Sequence, residues 1–469
     1  MGVVTEELKI ELPFKYRIIK KLNIKEKLNE HSEIIITGIL DNDEENIDIF
    51  RRLGITDNLR IKGKRILIEN KIEIEEEIDI FYGIITRIKL EQDGNLYKFE
   101  LEGNSYSLML DFKKKKRSFQ DKNLTYRNLI GNIVNENKGN TIFMGDFSKT
   151  LDIPFIQYNE TDWEFIKRLS SYLGLKLSPD IKTEKPNIFI GIKKGNEYIC
   201  NAYEYKLKKD MKSYLKMKEN HMKVTEEDFM SYEIEVRENY EIGDKILYKD
   251  LKLVVIEKYL ELKGSELINK YELKLERNIK QEKLYNEQII GQVINGKVIK
   301  VDKDKMKVHL EIDENQEESK AYLYSFGINH TTEGSTGWYI MPEIENKVEL
   351  YIPTKSEGSA YLRKILREDG KENEKTQDTA IKYLGTIDGK ELKIAPKELK
   401  FTTNRESLYL NMENDGGVSI VSNEKINIYS EKNIKIESEK LTIKSNDKIA
   451  ITTNDANIVI DNVIHLYDD

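Results

Sequence analysis

Five histidines (His31, His221, His309, His330 and His465) and one cysteine, Cys200, are the side chains best suited to metal binding or nucleophilic chemistry. Their spacing argues against both. No two histidines stand at an H-E-x-x-H or other ligand-pair spacing, and a zinc site needs several converging ligands. His309 falls in an alternating, strand-like run and His330 in the polar loop 329–337, so both read as structural. Cys200 cannot form an intrachain disulfide; it reads as a small buried apolar residue of a protein folded in a reducing compartment. Neither a G-x-S-x-G elbow nor a glycine-rich phosphate loop occurs. The carboxylates are so numerous that no acid–base pair stands out. No catalytic, cofactor-binding or metal-binding residue is therefore expected.

The run Lys113-Lys114-Lys115-Lys116-Arg117 is the one concentrated cluster of positive charge. Nucleic-acid grooves interleave such charge with stacking aromatics. Here only Phe112 and Phe119 flank it, so it reads as a solvated loop or as a loop facing an acidic partner. The whole chain of 469 residues carries 76 Lys and Arg against 84 Asp and Glu, a net charge of −8. That balance speaks against bulk attraction to nucleic acid or to acidic membranes. The length suits about three domains, and the mean hydropathy of −0.60 is that of a water-facing chain. The first residues lack the basic and apolar regions of a secretory signal, and no window approaches ~18 apolar residues. A soluble chain without a Sec-type signal is expected.

The elements that would position these residues are mostly strands. Two segments read as helices. Asp121, Asn123 and Thr125 offer caps for a helix near 125–137 whose apolar face is Tyr126, Leu129, Ile130, Ile133 and Val134. Thr161-Asp162-Trp163-Glu164 has the spacing of a capping box and opens a second helix near 162–173, with Trp163, Ile166 and Leu169 at helical spacing. Residues 239–277 read as a meander with turns at Gly243 and Gly264. From Ile289 to Leu366, five or six short strands suggest a small closed barrel. A charged linker, 367–379, follows.

The last hundred residues carry a repeat. Apolar pairs flanking one residue recur at Val418/Ile420, Ile426/Ile428, Ile434/Ile436, Leu441/Ile443, Ile449/Ile451 and Ile458/Ile460, with starts spaced 8, 8, 7, 8 and 9 residues apart. Leu392/Ile394, Leu399/Phe401 and Leu408/Leu410 precede them less regularly. An eight-residue unit at ~3.3 Å per residue is too short to encircle a core alone. Three chains winding together solve this, each supplying one face of a prism. The other reading is a meander of short hairpins covered by the barrel. The trimer is favoured because little else in the tail is apolar enough to cover those faces.

Four stretches, in order along nearly the whole chain, resemble the VgrG family, the trimeric spikes of type VI secretion and related contractile injection machines, including phage hub-and-spike proteins. Arg117-Ser118-Phe119-Gln120, leading into the first helix, is similar to the family's Arg-x-x-Phe-Gln approach. Gln157-Tyr158-Asn159-Glu160-Thr161-Asp162, followed by Phe165, Arg168 and Leu169, resembles its most specific line, Gln-Tyr-x-Glu-(Ser/Thr)-Asp-x-x-Phe-x-x-Arg-Leu. Residues 289–366, with Lys307-Val308-His309-Leu310, Gly337-Trp338 and Met341-Pro342, resemble its oligonucleotide/oligosaccharide-binding (OB)-type barrel. Tyr383-Leu384-Gly385-Thr386-Ile387-Asp388-Gly389 resembles the lead into its needle. Two departures stand out. Glu345-Asn346-Lys347 replaces a Gly-Asp turn before Val348, and Lys355-Ser356-Glu357-Gly358-Ser359 replaces a Gly-Asp-Pro-Asp loop, which puts that loop's contacts in question.

The resemblance implies a mainly β protein: a hub of tube-capping β-barrels with helices over 1–288, an OB-fold neck over 289–366, and an intertwined trimeric β-helix spike over 380–469. It implies a homotrimer without enzymatic activity or cofactor that meets the inner tube protein, baseplate proteins, a PAAR-like tip protein and effector cargo, and touches the target membrane transiently. Such a protein is cytoplasmic during assembly and delivered outward on contraction. Trp163, Phe165 and Leu169 would anchor the hub helix, and the six apolar pairs from Val418 to Ile460 would form the needle core. Ile464, Leu466, Asp468 and Asp469 would bind the tip protein. The readings left beside it are a glycan-degrading enzyme on a β-needle and the spike of a contractile phage tail.

Overall fold

The computed structural model describes residues 5–55, 57–69, 72–202, 204–219, 224–264, 266–279, 281–327, 340–366, 373–403, 407–452, 454 and 457–460. His221, His330, Trp338, His465, part of the linker and the four tip residues Ile464, Leu466, Asp468 and Asp469 lie outside them. The chain divides into two compact units, Met1–Glu368 and Asp369–Asp469. It is mainly β, and among the described residues no helix is long and apolar enough to cross a membrane.

The first unit is built on one large, mostly antiparallel sheet with two lobes. In the first lobe the strands run in the order Thr5–Glu11, Asn58–Glu69, Ile72–Asp93, Leu96–Ser105, Glu33–Leu40 and Tyr16–Lys27. Alternation builds it. In Glu33–Leu40 the even positions Ile34, Ile36, Gly38 and Leu40 are buried while the odd ones reach toward solvent. Helix α1, Glu44–Arg52, covers part of this lobe with Ile47 and Phe50, and Asp43 caps it by accepting from Glu45 N. Sequence periodicity passed over this helix because it buries only Asn46, Ile47 and Phe50. The second lobe contains the expected meander of Lys245–Tyr248, Leu251–Lys263 and Glu266–Leu275; Gly243 (φ +93°) leads into it, and it turns at Lys249-Asp250 (φ +47° and +62°) rather than at Gly243, then at Gly264 (φ +64°) as expected. Residues 23–27 pair with 257–261 and join the lobes into one sheet.

Between the lobes in sequence lie helices α2, Tyr126–Glu136, and α3, Asp162–Tyr172. Thr125 caps α2, accepting from Asn128 N. Thr161 and Glu164 form the full capping box of α3. Both helices bury their apolar faces in one cluster with Leu110, Phe147, Leu151, Phe155, Ile188 and Ile190.

The last part of the first unit is a five-stranded barrel of Val293–Asp302, Lys305–Leu310, Tyr324–Ser325, Lys347–Tyr351 and Tyr361–Leu366. Taken in chain order, the strands sit third, second, first, fourth, fifth, and a parallel bridge between Phe326 and Leu362 closes the ring. The Glu345-Asn346-Lys347 turn is built with Glu345 at φ +75°, where glycine is the easier choice, while Asn346 Oδ1 accepts from Glu343 N at 2.9 Å.

Over its first part the second unit pairs strand with strand within one chain. Lys382–Gly385, Glu391–Ala395, Glu398–Thr403, Leu408–Glu413 and Gly417–Ser422 form an antiparallel meander within one chain. Tight turns explain this. Gly389 and Gly417 take φ +77° and +76°, and Ala395-Pro396-Lys397-Glu398 folds the third strand straight back on the second. Val418 and Ile420 belong to this meander, and Ile449–Thr452 pairs antiparallel with Asn457–Ile460. Residues 423–448 carry no strand assignment in the single chain.

Candidate mechanical junction

The two sequence stretches 115–120 and 155–162 meet as neighbouring strands. Lys115–Phe119 pairs antiparallel with Phe155–Glu160, so the basic run is strand rather than solvated loop from Lys115 onward. The reason is charge pairing. Lys115 Nζ donates to Asp162 Oδ2 at 2.7 Å, and Arg117 donates to Asp162 Oδ1 at 3.0 Å, to Glu136 at 2.7 Å and to Gln157 Oε1 at 2.7 Å. Asp162, the first residue of α3, also accepts from Gln157 and Asn137, which favours its negative charge at the helix start.

Strand Phe155–Glu160 serves two cores at once. Phe155 enters the helical cluster, while its neighbour Ile156 enters the interior of the five-stranded barrel with Ile294, Val308, Leu350 and Leu362. The period-two geometry of a strand makes this division automatic. Further bonds tie barrel to helices. Ser118 donates from N (2.6 Å) and Oγ (2.5 Å) to Asp313, Gln120 Nε2 donates to Val308 O at 3.3 Å, and Tyr322 N donates to Gln120 Oε1 at 3.1 Å. Tyr158 Oη donates to Gln292 Oε1 at 3.0 Å.

Arg168 forms the centre of the junction. Its side chain is 2% exposed, and it donates to both carboxylate oxygens of Glu160 at 2.8 and 2.7 Å, to Ile156 O at 3.0 Å and to Glu357 Oε1 at 2.6 Å. Glu357 comes from the barrel loop whose contacts the sequence left in question; it is fully buried and reaches into the helical part. Close approach is possible because the next residue is glycine: a Cβ at Gly358 would lie 2.8 Å from Ile153 Cγ2. Burial works against the charge of Arg168, but Glu357 and Glu160 reverse this and hold the guanidinium firmly protonated. Glu357 Oε2 and Tyr172 Oη are buried and find no hydrogen-bond partner among the described residues.

Trp163 is 2% exposed, and its ring sits 4.1 Å from that of His31. Phe165 stacks on Phe119 at 5.4 Å, and Leu169 is buried in the same cluster. His31, unpartnered by sequence reasoning, bonds Ser107 Oγ at 2.7 Å and Asp111 Oδ2 at 3.3 Å; Asp111 also accepts from the Thr161 hydroxyl of the α3 cap. These types could suggest a nucleophilic triad. Ser107, however, is 1% exposed and its hydroxyl is shared with Ser105 Oγ at 2.9 Å, so no substrate reaches it. His309 bonds Asp313 O at 2.9 Å inside the junction. Among the described residues, no three His, Cys, Asp or Glu side chains gather as metal ligands.

No protein-family model matches the sequence, and no curated protein matches it either. Solved structures do match. The E. coli c3393 protein, described as a type VI secretion component similar to the T4 tail proteins gp27 and gp5, aligns with a TM-score of 0.51 at 10% identity, covering 76% of this chain and 99% of that one. A chain of the half-lidded Francisella PdpA–VgrG complex aligns at 0.56 and 10% identity, covering 90% and 88%. The lidless PdpA–VgrG complex gives 0.52 at 9%, covering 90% and 98%. The chain has a VgrG-like fold. Within that fold, two of the four stretches that carried the sequence resemblance, 117–120 and 157–169, hold the barrel to the helices. Glu357 and Asp313 were missed, because contacts 189 and 195 residues away in sequence leave no local signal.

The junction gives a pH prediction. Burial alone would raise Asp162, but its bonds to Lys115, Gln157 and Asn137 and the nearby Arg117 hold it below the usual carboxylate range. A depressed folded value stabilises the fold above the unfolded value near ~4 and loses that contribution as pH falls through the folded value. Asp162→Asn is therefore expected to lower the denaturation midpoint at pH 7 and to differ less from the parent chain at pH ~3. Asp313 has the opposite sign: burial raises it despite the Ser118 bonds, so its ionisation works against folding as pH rises.

Proposed function

We propose that this protein is the hub and spike of a contractile injection machine, working as a homotrimer. The two-lobed sheet with its helices is the hub that caps the inner tube and meets the baseplate. The five-stranded barrel, read as OB-type, is the neck. The second unit is the needle, with a PAAR-like tip protein and effector cargo beyond it, and it crosses the target envelope when the sheath contracts. Its role is mechanical rather than enzymatic, and it resides in the cytoplasm until delivery. The buried Arg168 cluster supports this, because thrust along the axis needs a neck that does not slip on its hub.

One observation carries the reading. The meander of the second unit is two-faced: the cross-strand row Leu384, Leu392, Phe401, Leu410 and Ile420 and the adjoining row Ile394, Leu399, Met412 and Val418 share one face, while Lys393, Lys400, Asn411 and Ser419 share the other. The single chain leaves this apolar side uncovered. Val418, Ile420, Ile426, Ile428, Ile434, Ile436, Leu441, Ile443 and Ile451 are each more than half exposed. A monomer in water rarely tolerates so continuous a patch. Covering it recovers roughly 1.5–3 kcal/mol per large side chain before entropy is counted. Three copies related by a threefold axis cover all such faces at once.

Native mass measurement with negative-stain imaging tests this. A trimer with a narrow projection is expected, and a monodisperse monomer at micromolar concentration would overturn it. Ile436→Glu places three carboxylates near the axis and is expected to abolish the protease and heat resistance of residues 380–469. Unchanged resistance would mean that Ile436 faces outward.

A further inference from the structure

We infer that a groove on the first lobe of the hub is a docking site for an acidic amphipathic segment of a partner protein. The groove measures about 370 Å³ and is lined by Leu53, Ile55, Ile85, Ile88, Leu108 and Phe112. It forms where the segment following α1 passes the strand Ile72–Asp93 and the short 3-10 helix Tyr106–Asp111 closes the other side. Ile55 is 47% exposed and Phe112 53%, so each rim offers a large apolar side chain to water. An apolar concavity with such rims marks a recognition surface more often than a chance exposure.

Charge identifies the occupant. Arg52 immediately precedes Leu53, and Lys113 and Lys114 immediately follow Phe112. All three are exposed, and none has a carboxylate partner among the described residues. The neighbouring cations are already paired within the chain: Arg87 with Glu102 at 3.0 Å and Arg51 with Asp48 at 3.4 Å; the nearby carboxylate of Asp57 is turned back onto its own loop, accepting from Gly54 N at 2.7 Å. The basic run is thus divided. Lys115 and Arg117 are taken up by Asp162 and Glu136, and Lys116 lies 4.7 Å from the Tyr158 ring centre. Within the run, Lys113 and Lys114 beside the groove are exposed and make no ion pair among the described residues, in a chain whose net charge is −8. A helix or turn with carboxylates flanking one or two large apolar side chains fits both features, the apolar groups giving affinity and the carboxylates orientation.

The test uses the full chain and two labelled synthetic helical peptides. One carries Leu and Phe along one face and Glu elsewhere; its twin carries Lys in place of Glu. Fluorescence anisotropy is expected to give saturable binding of the Glu peptide alone. Phe112→Ser, and separately Lys113→Glu with Lys114→Glu, are expected to weaken it about tenfold or more, as truncation of an anchor does. Ile55→Ser is a second probe of the rim, and raising salt from about 0.05 M to about 0.3 M should weaken binding further. No binding, or binding indifferent to Phe112→Ser and Ile55→Ser, overturns the inference. A change of subunit number in either rim variant by native mass would assign the groove to a second copy of the chain. Capture of phosphatidylglycerol vesicles that depends on Phe112, without peptide binding, would assign it to a lipid surface; either result also overturns the inference.

Discussion

Arg168→Ala is expected to destabilise the first unit, Met1–Glu368, by about 3–5 kcal/mol, the cost of stranding buried charge. The parent guanidinium satisfies Glu160 through two bonds and Glu357 through one, from a position almost closed to solvent. Removal leaves two buried carboxylates without the three charge-assisted bonds that compensated them. Glu357 would retain only a marginal contact, Ile156 N at 3.5 Å. Chemical denaturation followed by circular dichroism measures the loss. The origin of the loss is tested by a cycle. Adding Glu357→Gln to Arg168→Ala should restore part of the stability, because it removes one uncompensated charge, whereas Glu357→Gln alone should destabilise. Strict additivity of the two changes would mean that the groups do not share one buried network.

Trp163→Ala is expected to cost about 3–5 kcal/mol, the usual range for emptying a buried aromatic site. The indole packs against the imidazole of His31, which Ser107 and Asp111 hold in place, so the surroundings cannot easily collapse into the space. Trp163→Phe should recover much of the loss by refilling it. Because Trp163 is one of two tryptophans, the transition is best followed by far-ultraviolet circular dichroism rather than by fluorescence. Protease resistance of residues 380–469 should be unaffected, since they form a separate unit. An unchanged midpoint would place Trp163 outside the core that holds α3.

Local features of this protein were written in its sequence. The Thr161–Glu164 capping box, the Thr125 cap and the buried stripe from Tyr126 to Val134 depend on residues within a turn or two of one another, so spacing alone determines them. The alternation in 293–310 fixed which side of those strands faces the barrel interior, for the same reason. The charge run was read correctly at Lys113 and Lys114 and misread from Lys115 to Arg117, because a strand and a loop can carry the same basic residues; what distinguishes them is Asp162 and Glu136, brought over from two other elements. His31 looked isolated because Ser107, Asp111 and Trp163 reach it only when the first lobe closes on α3. Helix α1 escaped notice because only three of its residues are buried. In the second unit, spacing alone laid out the apolar pairs, while tight turns at Gly389, Pro396 and Gly417 decided that residues 382–422 pair strand to strand within their own chain. Glu357 marks the limit most clearly. Nothing within its loop announces a buried carboxylate, and only the fold, by setting Gly358 against Ile153 and Arg168 against Glu160, gives that charge a place to go.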